Sequence, residues 1–466
     1  MSDSRPIAVD LFGGVGGMAL GFEQAGFDVV CAVEYDPAHA AAHRFNFPYC
    51  EVLQRDATEL TGVELRRGVR RGLERHGRGK GRQKVDVIFG GPPCQGFSVG
   101  GLMDPKDPRN ELVEDFVRLV VELEPKAFVM ENVPAMASRS LPGRAATVPG
   151  WLRRRMRDAG YTVALPNILN SSSYGVPQNR RRLVIVGVRG ARVPPGPPSE
   201  THAPRTPVST AGSDAHRMGE PVECGRPLGP SVWDAIGDLP DLDGYDELLS
   251  SDSVRLPEEV RKVMKASASP YARILAGFDV DPSDLSRPRR RSPSRLTSSL
   301  RTVHSVEVVE RFKATRPGER EAISRFMRLD PDGVSSTLRA GSTPDRGSFS
   351  APRPIHPVMP RVISVREAAR LHGFPDWFRF SAAKWHGFRQ VGNAVCPPFA
   401  RAIAASVRDG LSLPKVEPSG ERLSLGDERL LRIPSGAGRR SGHPSPVEGD
   451  TEVDDNGIEV EVPRAA

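Results

Sequence analysis

IAVDLFGGVGGMALGFEQAGFDVVCAVEY, residues 7–35 of 466, carries the fold of this chain in its pattern. It reads as an apolar run from Ile7 to Phe12, a glycine-rich turn, a helix-like segment from Met18, and a second β-branched run from Asp28 to Tyr35. Apolar runs of that length, joined by one helix, form parallel strands in a single sheet. Outward from this unit the alternation continues through DPAHAAAHRF, VDVIFGG, ELVEDFVRLVVELE, AFVMENV, WLRRRMRDAG and RRLVIVGV, ending near Arg189. The expected class is therefore α/β: a doubly wound, Rossmann-like, mostly parallel sheet with helices on both faces and ligands at the carboxyl ends of the strands.

The texture changes along the chain. Residues 1–190 carry the alternating pattern, and 191–355 are rich in Pro, Ser, Arg and Gly, including RPRRRSPSR from Arg287 to Arg295. That middle stretch is expected to form a smaller, separate, loop-rich lobe. The α/β texture returns over 356–412, so the chain leaves its first domain and comes back to it. Residues 413–466 are polar and end in seven acids from Glu448 to Glu461, the composition of a disordered tail. A basic, glycine-containing insert, RRGVRRGLERHGRGKGRQK from Arg66 to Lys84, lacks the apolar periodicity of a core helix and reads as a solvated loop or a phosphate contact.

Composition narrows the function classes. Lys and Arg number 65 against 58 Asp and Glu, a net +7 that suits a polyanionic partner without proving one. The five cysteines (Cys31, Cys50, Cys94, Cys224, Cys396) show neither paired spacing nor a Cys/His cluster, so no disulfide framework and no metal site is expected. The opening MSDSRPIAVDLF is too short in apolar residues for a signal peptide, and no run of about 18 apolar residues occurs. A soluble protein of a reducing, cytoplasmic compartment is expected.

Chemistry concentrates at the predicted strand ends. Phe12 to Gly17, with Gly14 and Gly16, lets backbone amides approach a ligand where a helix begins. Glu34 closes the second strand, where a carboxylate accepts ribose hydroxyls, and the Tyr35 ring can lie against an adenine; Asp56 follows one unit later. GGPPCQGFS, Gly90 to Ser98, places Cys94 after two chain-stiffening prolines, the setting of a presented nucleophile. Glu131 of Met130-Glu131-Asn132-Val133 ends another strand at the same edge and can serve as a general acid or as a hydrogen-bond partner for a ring nitrogen. In Gln178-Asn179-Arg180-Arg181-Arg182, strand alternation sends Arg180 and Arg182 to one face, where they could hold a phosphate or a carbonyl.

Together, in this order, these motifs resemble the cytosine-5 DNA methyltransferases. The resemblance covers roughly residues 6–189 and 361–410: DLFGGVGG looks like the methyl-donor loop, PPCQGFS the nucleophile loop, ENV the carboxylate motif and QNRRR the Gln-x-Arg-x-Arg motif. RVISVREAARLHGFP, from Arg361, looks like the helix supporting the recognition lobe, and Gln390 to Val395 like the closing cofactor motif. Cys396 departs from the Pro more usual there, and the insert at 66–84 is no hallmark of the family. The resemblance implies the S-adenosylmethionine-dependent methyltransferase fold, S-adenosylmethionine as donor without a metal, and cytosine C5 as acceptor. It implies Cys94, Glu131, Arg180 and Arg182 as catalytic residues, and Phe12, Gly14, Gly16, Glu34, Tyr35, Asp56, Pro93, Asn393 and Val395 around the donor. Its partner would be double-stranded DNA, read by a target-recognition region around Ser231–Ile236 and Thr337–Gly341. A monomer suffices, no membrane is involved, and a cognate restriction endonuclease would act as a separate protein.

Three other classes share parts of this pattern. A transfer-RNA cytosine methylase shares the nucleophile, but the long basic segment between Arg182 and Arg361 favours DNA. A catalytically silent DNA-binding protein would not require Cys94, Glu131 and the two arginines together. An amino-methyltransferase would carry an acid or Asn before Pro-Pro and an aromatic after it, and PPC has neither.

Overall fold

In a computed structural model, the residues described are 5–78, 84–93, 112–141, 144–190, 193–205, 225–341, 353–414 and 416–433, with two dipeptides at 452–453 and 459–460. The central strands are β1 (Ile7–Leu11), β2 (Asp28–Glu34), β3 (Glu51–Gln54), β4 (Val87–Gly90), β5 (Ala127–Asn132), β6 (Tyr161–Val163), β7 (Asn167–Asn170), β8 (Gln178–Asn179) and β9 (Arg181–Arg189). The main sheet runs β3-β2-β1-β4-β5-β9-β6, with β7 also on β9. β1 to β5 are mutually parallel, while β9 is antiparallel to β5, β6 and β7. Because β2 and β4 flank β1, the strand order reverses beside it, and the crevice at that switch point is where such sheets bind ligands.

Strand alternation builds two cores. Ala8, Val29, Ala32, Val87, Phe89 and Val129 face one way, and Ile7, Val9, Leu11, Val33, Ile88 and Met130 the other. The first face packs on α1 (Gly17–Gln24), α2 (Pro37–Asn46) and the returning chain; the second packs on α3 (Gly62–Arg75), α4 (Leu112–Leu123) and α5 (Val148–Asp158). The middle region contributes α6 (Val232–Ile236), α7 (Glu258–Ser267), α8 (Pro270–Leu275), α9 (Val306–Ala314) and the short strands β10 (Val254–Arg255), β11 (Arg295–Leu296) and β12 (Ser335–Ser336). The return is α10 (Val365–Leu371), α11 (Lys384–Asn393) and α12 (Pro397–Gly410). α12 lies directly on α1. A Cβ on Gly17 would sit 2.4 Å from the Val395 carbonyl oxygen, so only glycine lets these backbones meet.

Three expectations need correction. Residues 66–75 of the basic stretch belong to the helix Gly62–Arg75, not to a loop: Thr61 and Glu64 form a capping box, and Leu65, Gly68, Val69, Gly72 and Leu73 are buried. Two of those inward positions are glycines, which hide the apolar period while permitting contact; a Cβ on Gly72 would lie 1.8 Å from the Val30 oxygen. The arginines point outward, Arg71 and Arg75 pairing with Glu51 at 2.7 and 2.6 Å. Secondly, 416–433 packs on the body. Gly426 N donates to Phe45 O at 2.8 Å, Ala382 N to Leu431 O at 2.9 Å, and Leu431 is buried. The seven acids from Glu448 to Glu461 fall where no side chain is described.

The third correction concerns the arginine run Arg287–Arg295, expected in a separate lobe. Its side chains bind the protein itself: Arg287 pairs with Asp28 (2.7 Å), Arg289 with Glu23 (2.5 Å), and Arg295 with Glu428 (3.2 Å). Arg289 also lies over the rings of Tyr49 and Trp377. The run is a strap tying the middle region to α1, β2 and the C-terminal segment. Buried charges bind the return in the same way: Arg361 pairs with Glu367 (2.8 Å), and Arg370 with Asp238 (3.0 Å) and Asp376 (2.6 Å).

Candidate active site

β1, β2, β4 and β5 all end at one edge, and β9 begins there, because β9 runs against β5 in a register that sets Leu183 opposite Asn132. After β1 the chain turns through Phe12, Gly14 and Gly16, all at positive φ (60°, 55° and 97°). A Cβ on Gly14 would meet nothing within 4 Å, so this turn presents bare backbone to open space. Glu34 braces it: its Oε2 accepts from Gly14 N at 2.8 Å and its Oε1 from Asp36 N at 2.7 Å. Tyr35 is 70% exposed beside it. Asp56, beyond β3, accepts from the amide and hydroxyl of Thr58.

Beneath the turn lies Asp10, a residue that sequence reasoning passed over. It is fully buried, its Oδ2 has no hydrogen-bond partner among the described residues, and burial followed by the charge of Glu34 lifts its carboxyl well above the usual range. The only sequence signal was an acid inside an otherwise apolar strand. Val395 is buried against Gly17, and Asn393 is exposed at the end of α11, so both sit on the segment that closes over the glycine turn.

β4 delivers Gly90 to Pro93. Cys94 itself lies outside the described residues, as do 95–111. The platform beneath it is defined. Asn132 Nδ2 donates to Pro92 O at 2.9 Å, and a Cβ on Gly91 would lie 2.8 Å from Glu131 Oε2. Glu131 forms an ion pair with Arg182 at 2.8 Å, both side chains nearly buried. Glu131, Arg182 and the root of the cysteine loop therefore share one corner of the site. Three other cysteines, Cys31, Cys50 and Cys396, are buried, and burial pushes their thiols up, that of Cys396 to about 11. They are poor nucleophiles; Cys224 falls outside the described residues.

Arg180 does something different from Arg182. Its guanidinium donates to the carbonyls of Leu338 (3.0 Å), Gly392 (2.9 Å) and Ala394 (3.0 Å), clamping the end of the middle region to the chain between α11 and α12. Gln178 and His372 extend the clamp. Gln178 Oε1 accepts from Leu338 N at 3.1 Å, its Nε2 lies 2.9 Å from His372 Nδ1, and His372 Nε2 lies 3.0 Å from Ala394 O. Those partners require a neutral ring protonated at Nε2. Burial and the nearby arginines keep it neutral by holding its pKa well below the ordinary value. Gln178 and His372 stood within quoted motifs, yet nothing local shows that they meet.

The comparisons agree with this geometry. The chain matches the C-5 cytosine-specific DNA methylase family over residues 8–409. It is 43% identical over 431 residues to the type II methyltransferase M.XorII of Xanthomonas oryzae pv. oryzae, covering 92% of this chain and 91% of that one. It is 31% identical to M1.HphI of Haemophilus parahaemolyticus, covering 86% of each chain. A solved structure described as a prophage-encoded DNA modification methyltransferase from E. coli superposes with TM-score 0.64 at 32% identity, covering 88% of this chain and all of that one. No helix among the described residues is long and apolar enough to cross a membrane. With the sheet, the strand-end site and this match over most of its length, the chain belongs to the C-5 cytosine-specific DNA methylase family and is a DNA cytosine-5 methyltransferase.

Proposed function

We propose that the protein methylates C5 of a cytosine flipped out of a specific duplex sequence, through a covalent bond between Cys94 and C6, with S-adenosylmethionine as donor. The observation that carries this reading is the corner where the Glu131–Arg182 pair and the Asn132-anchored root of the cysteine loop converge. The donor-side residues fit a nucleoside: each Glu34 oxygen accepts one backbone amide and keeps a lone pair for a ribose hydroxyl, Tyr35 offers an exposed ring face, and the turn at Gly14 is open. Phe12, Gly16, Asp56, Pro93, Asn393 and Val395 would complete that pocket. When bound, the donor supplies an electrophilic methyl group on a sulfonium sulfur.

The protein's task is to make C5 a nucleophile. The Cys94 thiolate forms a bond to C6, and the C5–C6 π pair shifts toward C5. Glu131 stabilises N3 as charge builds on the ring, by a hydrogen bond or by lending it a proton that returns to the carboxylate on elimination, and Arg182 keeps that carboxyl group in position. After C5 is alkylated, a base takes the C5 proton, its electrons restore the double bond, and the sulfur–C6 bond breaks to release Cys94. Arg180 holds the recognition stretch and the closing segment in register during this sequence. Because C6 is unreachable inside a stacked duplex, the base must be extruded. The type II names of the relatives support a protective role beside a cognate endonuclease, and the chemistry itself needs only a monomer.

The test is trapping. Duplexes carrying 5-fluorocytosine in many contexts, incubated with protein and S-adenosylmethionine, should give a covalent adduct that Cys94→Ala abolishes. Fluorine cannot leave as a proton, so turnover stalls on the enzyme. Folded, donor-binding protein that forms no adduct with any duplex would overturn the proposal.

A further inference from the structure

The arginine run Arg287–Arg295 is the most DNA-like stretch of the sequence, and the structure uses much of it internally. The arginines left over are elsewhere. A cleft of about 860 Å³ opens where β8 and β9 meet the middle region, lined by Asn179, Arg181, Arg182, Arg320, Arg325 and Arg339 among others. Arg182 belongs to the catalytic corner, so the cleft leads from that corner to the recognition region. Among the described residues, Arg181, Arg325 and Arg339 have no carboxylate partner. A site with guanidinium groups and few acids attracts a polyanion.

One element in this cleft is built unlike the rest. Residues 320–327 form a tight hairpin, closed by a bridge between Arg320 and Met327 and by Glu321 N donating to Phe326 O at 2.8 Å. The buried Glu321 carboxylate accepts the amides of Ile323 (3.1 Å) and Ser324 (2.5 Å), tying the tip down from inside. Arg328, just after the hairpin, donates to the carbonyls of Phe312, Thr315, Pro357 and Val358, fixing its base. At the tip Arg325 is at φ 62°, a conformation that costs a non-glycine residue free energy. Arg320 donates to the Arg325 carbonyl, and Ile323 beside it is 68% exposed. The turn fixes the Arg325 backbone at the mouth of a basic cleft and leaves its exposed side chain there without a carboxylate partner among the described residues.

We propose that this hairpin is the base-reading element of the recognition region: Arg325 reads a purine edge in the major groove, and Arg181 and Arg339 meet phosphates. The proposal rests on the DNA-methylating function and assigns its sequence specificity. Arginine suits the role because its planar fork bonds both acceptors of one guanine edge.

The experiment reads the methylated sequence directly. Wild type, Arg325→Ala and Arg325→Gly are each expressed in a host without cytosine-5 methylation, with a plasmid library of randomised sites, and methylated contexts are read by bisulfite sequencing. Glycine is at ease at positive φ, so Arg325→Gly removes the guanidinium without retaining the strain. Arg290→Gln, altering an arginine of the internal strap, serves as the control. We expect both Arg325 variants to lose discrimination at one base pair by about 5- to 150-fold while S-adenosylmethionine affinity, by calorimetry, is unchanged. Arg290→Gln should keep the wild-type consensus. A folded Arg325→Gly protein with the wild-type consensus, whatever its total DNA affinity, would overturn the proposal alone. A wild-type protein that methylates no cytosine would overturn the functional reading as well, and that result is visible without any variant.

Discussion

Arg180 and Arg182 stand two residues apart in one motif, yet their contacts assign them different work. Arg182 touches Glu131, whose carboxyl group borders the root of the cysteine loop, whereas Arg180 satisfies three backbone carbonyls from two distant segments. Removing Arg180 strands those carbonyls in the interior, so Arg180→Ala should lower the unfolding free energy by about 3–5 kcal/mol, read by urea titration. Glu131→Gln should leave stability much closer to wild type and cut kcat by roughly 10²–10⁴-fold, with donor affinity held. Arg182→Ala alone leaves the nearly buried Glu131 carboxylate unpaired, so it is made in the Glu131→Gln background, where it should cost far less stability than Arg180→Ala does. Equal losses of stability from Arg180→Ala and from Arg182→Ala in that background would refute this division. The motif spelling was legible in sequence, but the division was not, because an arginine's reach of several bonds leaves its partner undetermined by its neighbours.

At the scale of elements, α3 shows how a helix escapes a reading based on apolar counts. Its buried side is Leu65, Gly68, Val69, Gly72 and Leu73, and its outer side is arginine. Gly72 sits against the Val30 carbonyl with no room for a methyl group, while Arg70 faces solvent. Gly72→Ala should therefore destabilise the protein by about 1–3 kcal/mol. Arg70→Ala should stay within about 0.5 kcal/mol of wild type. Thermal unfolding of the two variants checks this, and equal melting temperatures would show that α3 does not dock as described. Glycine scores as a helix breaker in isolation, and only a neighbouring strand turns it into a contact residue.

Across the whole molecule, buried charge joins the middle region and the return to the sheet domain. Arg370–Asp238 makes such a link, and inside the return the Arg361–Glu367 pair shows how strongly buried charges couple. Burial opposes ionisation of Glu367, but Arg361 outweighs it, drawing the carboxyl from its ordinary value near 4.5 down to about 2. The folded-state pKa is depressed, so the contribution is full above about pH 5 and is lost as pH falls toward 2. It amounts to about 3 kcal/mol, the free-energy equivalent of that displacement. Glu367→Gln should be less stable than wild type at pH 7, and the gap should narrow on acidification; a gap constant from pH 7 to pH 3 would contradict this account. The sequence by itself determined the alternating strand and helix order, the glycine turn, and the chain positions of Cys94, Glu131 and the residues proposed to hold the donor. These are local demands of backbone geometry and side-chain chemistry, written in contiguous residues. Only the tertiary structure decided which arginines are left without a carboxylate partner, that residues 66–75 of the basic stretch lie in a packed helix, that 416–433 covers the body, and that Gln178 and His372 meet. Each of those outcomes depends on partners roughly 40 to 380 residues away, and the free energy of burying or pairing a group is set by what surrounds it in space.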